Sequence, residues 1–150
     1  MKKLRDIMRQ GFLFVVQPGA TVADAVRMMA ENNVGIVAVL EDSRLVGVFS
    51  ERDVVRRVVD RGRDPARTPV SEVMTSELIV VDADEDYQVA MRKMDQANIR
   101  HLPVVSGGRL LSMISIRDLM RVDIEHKGEE IQHLQEYLYQ VPPGAGRGAG

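Results

Sequence analysis

The chain has 150 residues and a mass of 16.8 kDa, enough for one ordinary domain or two very small ones. A hydrophobic share of 45% and a charged share of 28% exclude disorder as a description of the whole chain, while zero cysteines exclude a disulfide scaffold, a thiolate zinc site, an iron–sulfur cluster and a cysteine nucleophile. A formal net charge of -2 advertises no nucleic-acid surface, and no apolar run nears the ~20 residues of a membrane span, so the expectation is a soluble, cytoplasmic protein with neither membrane nor nucleic acid as partner.

In chain order, Met1-Lys2-Lys3-Leu4-Arg5-Asp6 is basic but lacks the apolar stretch of a secretory signal. Val15-Val16 is a β-branched stub before a polar turn. Thr21 can cap a helix whose Val22, Ala25, Val26 and Met29 follow an i, i+3, i+4, i+7 stripe, ending at Asn32-Asn33. A strand over residues 36–40, a turn at Glu41-Asp42-Ser43 and a second strand suit a hairpin. A closing helix over residues 51–61 is expected to bury Val54, Val55, Val58 and Val59. The order is then repeated: Val80-Val81, a helix with Tyr87, Ala90, Met91 and Met94, Asn98, a strand over 102–105, the turn Ser106-Gly107-Gly108, another strand, and a helix after Ser115 expected to bury Leu119 and Met120. Beyond Val122 an amphipathic stripe runs through Ile124, Ile131, Leu134, Leu138 and Val141, interrupted by Gly128, before a Gly- and Pro-rich tail.

The repetition is measurable. Displaced by 65 residues, the sequence matches itself at fourteen positions between Phe12 and Arg56, among them Arg44-Leu45 over Arg109-Leu110 and Ser50, Arg52 and Asp53 over Ser115, Arg117 and Asp118. One further residue of slippage places Ile7-Met8 over Val73-Met74. Each copy reads β-α-β-β-α. A unit of this size leaves its sheet face bare, so the fold class is α+β (α/β-like), two such units packed through their sheets as a pseudo-two-fold pair with a C-terminal helical segment. The expected domains are 1–62 and 70–122 around a 63–69 linker marked by Asp64-Pro65 and Thr68-Pro69, then an amphipathic helix 123–141 and a disordered tail 142–150.

The sharpest recurrence is Ser-x-x-Asp after a strand and opening a helix: Ser50/Asp53 and Ser115/Asp118. A capping box explains such a spacing by itself. Helix-opening donors and a hydroxyl also suit a phosphate, and a short carboxylate beside them can take both hydroxyls of a ribose. Asp82, Asp84, Glu85 and Asp86 read as a solvated helix start rather than a Mg²⁺ site, and His126, Glu130 and His133 are too few for a metal assignment.

With Asn33-Val34-Gly35, the stretch Ile99 to Val104, and Gly47-Val48-Phe49-Ser50-Glu51-Arg52-Asp53 in view, the chain over roughly residues 4–122 resembles a stand-alone tandem of CBS domains, the Bateman module. The resemblance implies adenosyl-nucleotide binding (AMP, ADP or ATP) between the copies, without catalysis. It assigns Asp53 and Asp118 to ribose, Ser50 and Ser115 to phosphate or ribose, and adenine contacts to Val15, Val34, Gly35 and Ile36 in one site and Val80, Ile99 and Arg100 in the other. It places Arg100 and His101 near phosphates, where the first copy has uncharged Gly35 and Ile36, so the two sites are expected to differ. It implies a homodimer and a regulated protein partner. The alternatives are an NAD or S-adenosylmethionine sensor, a ligand-free dimerisation module, and a nucleotide-processing enzyme, for which no P-loop, nucleophile elbow or His-Glu-x-x-His is present.

Overall fold

The computed structural model describes residues 2–8 and 13–138. The expected tail, 142–150, and Val141 of the C-terminal stripe lie outside the described residues. The elements are α1 (Leu4–Ile7), β1 (Val15–Val16), α2 (Val22–Asn32), β2 (Ile36–Glu41), β3 (Arg44–Ser50), α3 (Glu51–Asp53) continued by a π-helical stretch over Val54–Val59, a 3-10 turn at Val70–Glu72, β4 (Val81–Asp82), α4 (Tyr87–Ala97), β5 (His101–Ser106), β6 (Arg109–Ser115) and α5 (Ile116–Leu138).

Local chemistry explains the boundaries. The Thr21 hydroxyl accepts the Asp24 N–H at 3.1 Å and starts α2, and the Asp86 carboxylate accepts the Gln88 N–H at 2.9 Å and starts α4. Asn33 and Asn98 end these helices in the left-handed conformation, both at φ 53°. The hairpin turns take positive φ at both central residues, Asp42-Ser43 in one copy and Gly107-Gly108 in the other, as type I′ geometry requires.

Each copy forms a three-stranded sheet in which the short first strand runs parallel to the second and the third antiparallel. The registers coincide under the 65-residue shift: Ile36 faces Ser50 as His101 faces Ser115, with an irregularity after Val39 and after Val104. The sheets meet through β3 and β6.

The copies also exchange their leading segments. Leu4 is buried in the second copy's core with Val81, Tyr87, Met94 and Leu119, and the Leu4 and Arg5 N–H groups donate to Glu85 and Ala83 carbonyls. Val70 and Val73 are buried in the first copy's core with Val22, Met29, Phe49 and Val58, and the Val70 N–H donates to the Ala20 carbonyl at 2.8 Å. The one-residue slip between Ile7-Met8 and Val73-Met74 thus corresponds to two equivalent exchanged strands of chain. The second lies against β3, where Val48 and Thr75 exchange backbone hydrogen bonds. There Gly47 is required: a Cβ would stand 2.5 Å from the Met74 sulfur and 3.0 Å from the Thr75 carbonyl oxygen. Gly47→Ala is expected to destabilise by about 1–3 kcal/mol, as overpacking does, lowering Tm in a calorimetric scan.

Two expectations change. The closing helix of the first copy is not α-helical over 51–61. After Asp53 it widens into a π turn, with the Asp60 N–H bonded to the Val55 carbonyl. Of its valines, Val58 is buried, but Val55 is 62% and Val59 69% exposed, and in the second copy Leu119 is buried while Met120 is half exposed. A helix lying on a sheet buries one stripe only, and the i, i+4 pair Val55/Val59 lies on the other side. At the C-terminus, α5 runs from Ile116 to Leu138 without a break. Gly128 has nothing within 4 Å of where a Cβ would be, so it costs helix propensity but no contact. The Tyr87 hydroxyl donates to Asp123 at 2.9 Å, and the Tyr87 and His126 rings meet edge to face, fastening α5 to the start of α4.

Candidate functional site

Two clefts lie between the copies. One, of about 510 Å3, is lined by Ile7, Met8, Phe14, Val34, Gly35, Ile36 and Glu51 from the first half and by Arg100, His101, Met113, Ser115, Arg117 and Asp118 from the second. The other, of about 420 Å3, is lined by Val48, Ser50, Arg52, Asp53, Thr75, Glu77, Leu78, Ile79, Ile99 and Pro103. Gly35, Ile36, Glu51, Arg100 and His101 line both and form the wall between them.

Each strand-to-helix junction carries a full capping box. The Ser50 N–H and hydroxyl donate to Asp53 Oδ2 at 3.0 and 3.2 Å, and the Ser50 hydroxyl accepts the Asp53 N–H. Ser115 and Asp118 repeat this at 3.3 and 2.9 Å. One carboxylate oxygen is therefore used structurally in each copy; the other decides what each aspartate can still do. Asp53 Oδ1 accepts the Thr75 hydroxyl at 3.0 Å and lies 3.6 Å from Arg57 Nε, and Asp53 is only 6% exposed. Asp118 Oδ1 has no hydrogen-bond partner among the described residues, and Asp118 is half-buried at the cleft wall. Asp118 keeps acceptor capacity for a diol; Asp53 is already engaged.

The cations differ in the same sense. Arg52 donates to the Asn98 carbonyl at 2.9 Å, bracing the first copy's helix against the end of α4, whereas its equivalent Arg117 lines the larger cleft. Burial pushes the His101 imidazole pKa below its ordinary value and Arg100 pushes the same way, with Asp118 and Glu51 opposing. The Glu51 carboxylate lies against Gly35, with atoms 3.2–3.4 Å from where a Cβ would be.

Ser50, Asp53 and Ile99 therefore line one cleft, Ser115, Asp118 and Val34 the other, and Gly35, Ile36, Arg100 and His101 the shared wall. Val15 and Val80 line neither. Phe14 and Ile79, one residue earlier, stand there instead. Both precede the two-residue strands Val15–Val16 and Val81–Asp82, so no strand alternation in the sequence marks them as cleft residues. Glu51, Met113, Arg117, Thr75 and Glu77 were also missed as cleft residues, Thr75 because it reaches Asp53 across 22 residues of sequence.

The acidic run behaves as a helix start. Asp86 caps α4, Glu85 accepts the Asp82 N–H and lies 3.8 Å from Lys93, and Arg5 beside Asp84 holds that carboxyl below the usual carboxylate range. Among the described residues no His, Asp and Glu are grouped to hold a metal ion.

The CBS domain family model matches residues 4–60 and again residues 70–125. The chain belongs to the CBS domain family, as a tandem pair. It is 37% identical over 123 residues to the mitochondrial CBS domain-containing protein CBSX3 of Arabidopsis thaliana, an alignment covering 79% of this chain and 60% of that one. It is 34% identical over 119 residues to the CBS domain-containing protein YhcV of Bacillus subtilis, covering 79% and 84%. Among solved structures it is similar to the CBS domain protein PAE2072 of Pyrobaculum aerophilum complexed with AMP, at a TM-score of 0.72 and 30% identity over 78% of this chain and 89% of that one. No helix among the described residues is long and apolar enough to cross a membrane.

Proposed function

We propose that this CBS pair is a regulatory module that binds an adenosyl nucleotide of the AMP, ADP or ATP type in the Asp118 cleft and passes its occupancy to a protein partner. The observation that carries the reading is the open Oδ1 of Asp118 in a cleft that also offers apolar Val34, Ile36 and Met113 and the cations Arg100 and Arg117. A ribose diol, an adenine face and a phosphate each find their chemistry there. The AMP complex of the PAE2072 relative supports it. Calorimetric titration with AMP, ADP, ATP, NAD and S-adenosylmethionine, with a turnover assay on the same sample, tests it. The expected result is micromolar to millimolar binding of an adenine nucleotide without turnover, together with a ligand-dependent rise in Tm. Absence of binding by all five ligands overturns it.

The module is proposed to act as a homodimer. Val55 and Val59 on the first closing helix have as equivalents Met120 and Ile124 on α5, and all four are exposed apolar side chains. Ile131 and Leu134 extend the second patch along α5. Two pseudo-equivalent apolar faces suit an isologous two-fold contact with a second copy. Light scattering is expected to give twice 16.8 kDa at micromolar concentration, and Val59→Glu with Ile124→Glu to give the monomer mass. A monomeric wild type refutes it.

A further inference from the structure

We infer that the two clefts accommodate only one phosphorylated ligand at a time, because they share a single phosphate-facing pair, the Arg100 guanidinium and the His101 imidazole. The inference rests on the adenosyl reading and adds to it a rule of occupancy. Arg100 and His101 line both clefts, and the positions aligned with them, Gly35 and Ile36, offer no charge from the other side of the wall. The space beside Gly35 is instead held by the Glu51 carboxylate, which also lines both clefts. A phosphate in either cleft has this one pair at the wall, and a second phosphate meets a pair already engaged, with Glu51 and the first phosphate adding repulsion across the shared wall.

The order of filling follows from the rest of each cleft. The Asp118 cleft has its carboxylate oxygen open and Arg117 in its lining. In the Asp53 cleft the carboxylate is engaged by Thr75 and Arg57, Arg52 is committed to the Asn98 carbonyl, and Glu77 adds a negative charge. The phosphorylated ligand takes the Asp118 cleft first. A neutral nucleoside, which makes no demand on the cations, is free to occupy the other.

Titration calorimetry with AMP and with adenosine tests this. AMP is expected to bind one equivalent per chain, with any second equivalent at least tenfold weaker at low salt and the gap narrowing at 1 M salt, where screening acts over about 3 Å. Adenosine is expected to fill two equivalents, and to add one equivalent to protein saturated with AMP. Glu51→Gln, which removes the shared negative charge, is expected to narrow the AMP gap. Two AMP equivalents of equal affinity overturn the inference and leave the adenosyl reading intact, as does an AMP-saturated protein that accepts no adenosine. Failure of both AMP and adenosine to bind takes down the adenosyl reading and this inference together.

Discussion

Asp118→Ala and Asp53→Ala are expected to fail in opposite ways, although the two residues are equivalent under the repeat. Asp118→Ala removes the open acceptor of the larger cleft. Hydrogen bonds to a charged group are worth about 1.5–3 kcal/mol, so AMP affinity is expected to fall roughly ten- to a hundredfold. Its structural cost is one capping box, about 1 kcal/mol. Asp53→Ala instead removes a nearly buried carboxylate that receives the Ser50 N–H and hydroxyl, the Thr75 hydroxyl and the Arg57 guanidinium. Arg57 is half exposed and contributes little through its charge alone. The cap and the stranded Thr75 hydroxyl are lost as well, for a total of about 2–3 kcal/mol, or roughly 5–10 °C in Tm. The first equivalent of AMP is expected to bind Asp53→Ala nearly as tightly as wild type. Scanning calorimetry and AMP titration on both variants decide the matter; equal behaviour in both assays refutes the division of labour between the two aspartates.

That division was only half legible in the sequence. The 65-residue shift carried the strand registers, the asparagine caps and the two capping boxes, because each depends on residues close together in the chain. The exchange of leading segments was not read from it: the one-residue slip at Ile7-Met8 was visible, but its meaning needed the burial of Leu4 and Val70 in opposite cores. The Asp53–Arg57 pair had the i, i+4 spacing of a helix ion pair, yet nothing local connected Thr75 to it. Val55, Val59 and Met120 were misplaced for a different reason. An apolar stripe reports which residues share a helix face, not what covers that face, so exposed Val55, Val59 and Met120 read like core residues. The cleft wall was legible as an asymmetry, Gly35-Ile36 against Arg100-His101, but the sharing of that wall between both clefts depends on the packing of two sheets.

Arg100 and His101 are expected to give AMP binding a pH and salt dependence that adenosine binding lacks. In the free protein burial and Arg100 hold the His101 pKa below its ordinary value of about 6.5, so the imidazole is neutral at pH 7. A phosphate beside it stabilises the imidazolium and raises the pKa in the complex. The complex then binds more protons than the free protein, so linkage requires AMP affinity to rise as pH falls through the pKa of the complex. The rise levels off below the pKa of free His101, and it is opposed near pH 6 as the phosphate itself takes up a proton. The unliganded fold responds in the opposite sense: a histidine whose pKa is depressed on folding costs stability as pH falls below the unfolded value. Arg100 offers a fixed fork of donors, and Arg100→Ala is expected to weaken AMP roughly ten- to a hundredfold, the equivalent of about 1.5–3 kcal/mol for a charge-assisted bond, while changing adenosine little. It should also flatten the salt dependence of AMP binding, because an ion pair has been removed. His101→Ala is expected to flatten the pH dependence above pH 6.5 and leave adenosine unaffected. Calorimetry in buffers of different ionisation enthalpy reads the proton uptake directly. Equal losses for AMP and adenosine in Arg100→Ala would place that side chain against the adenine, and a pH profile unchanged by His101→Ala would remove the imidazole from the phosphate site.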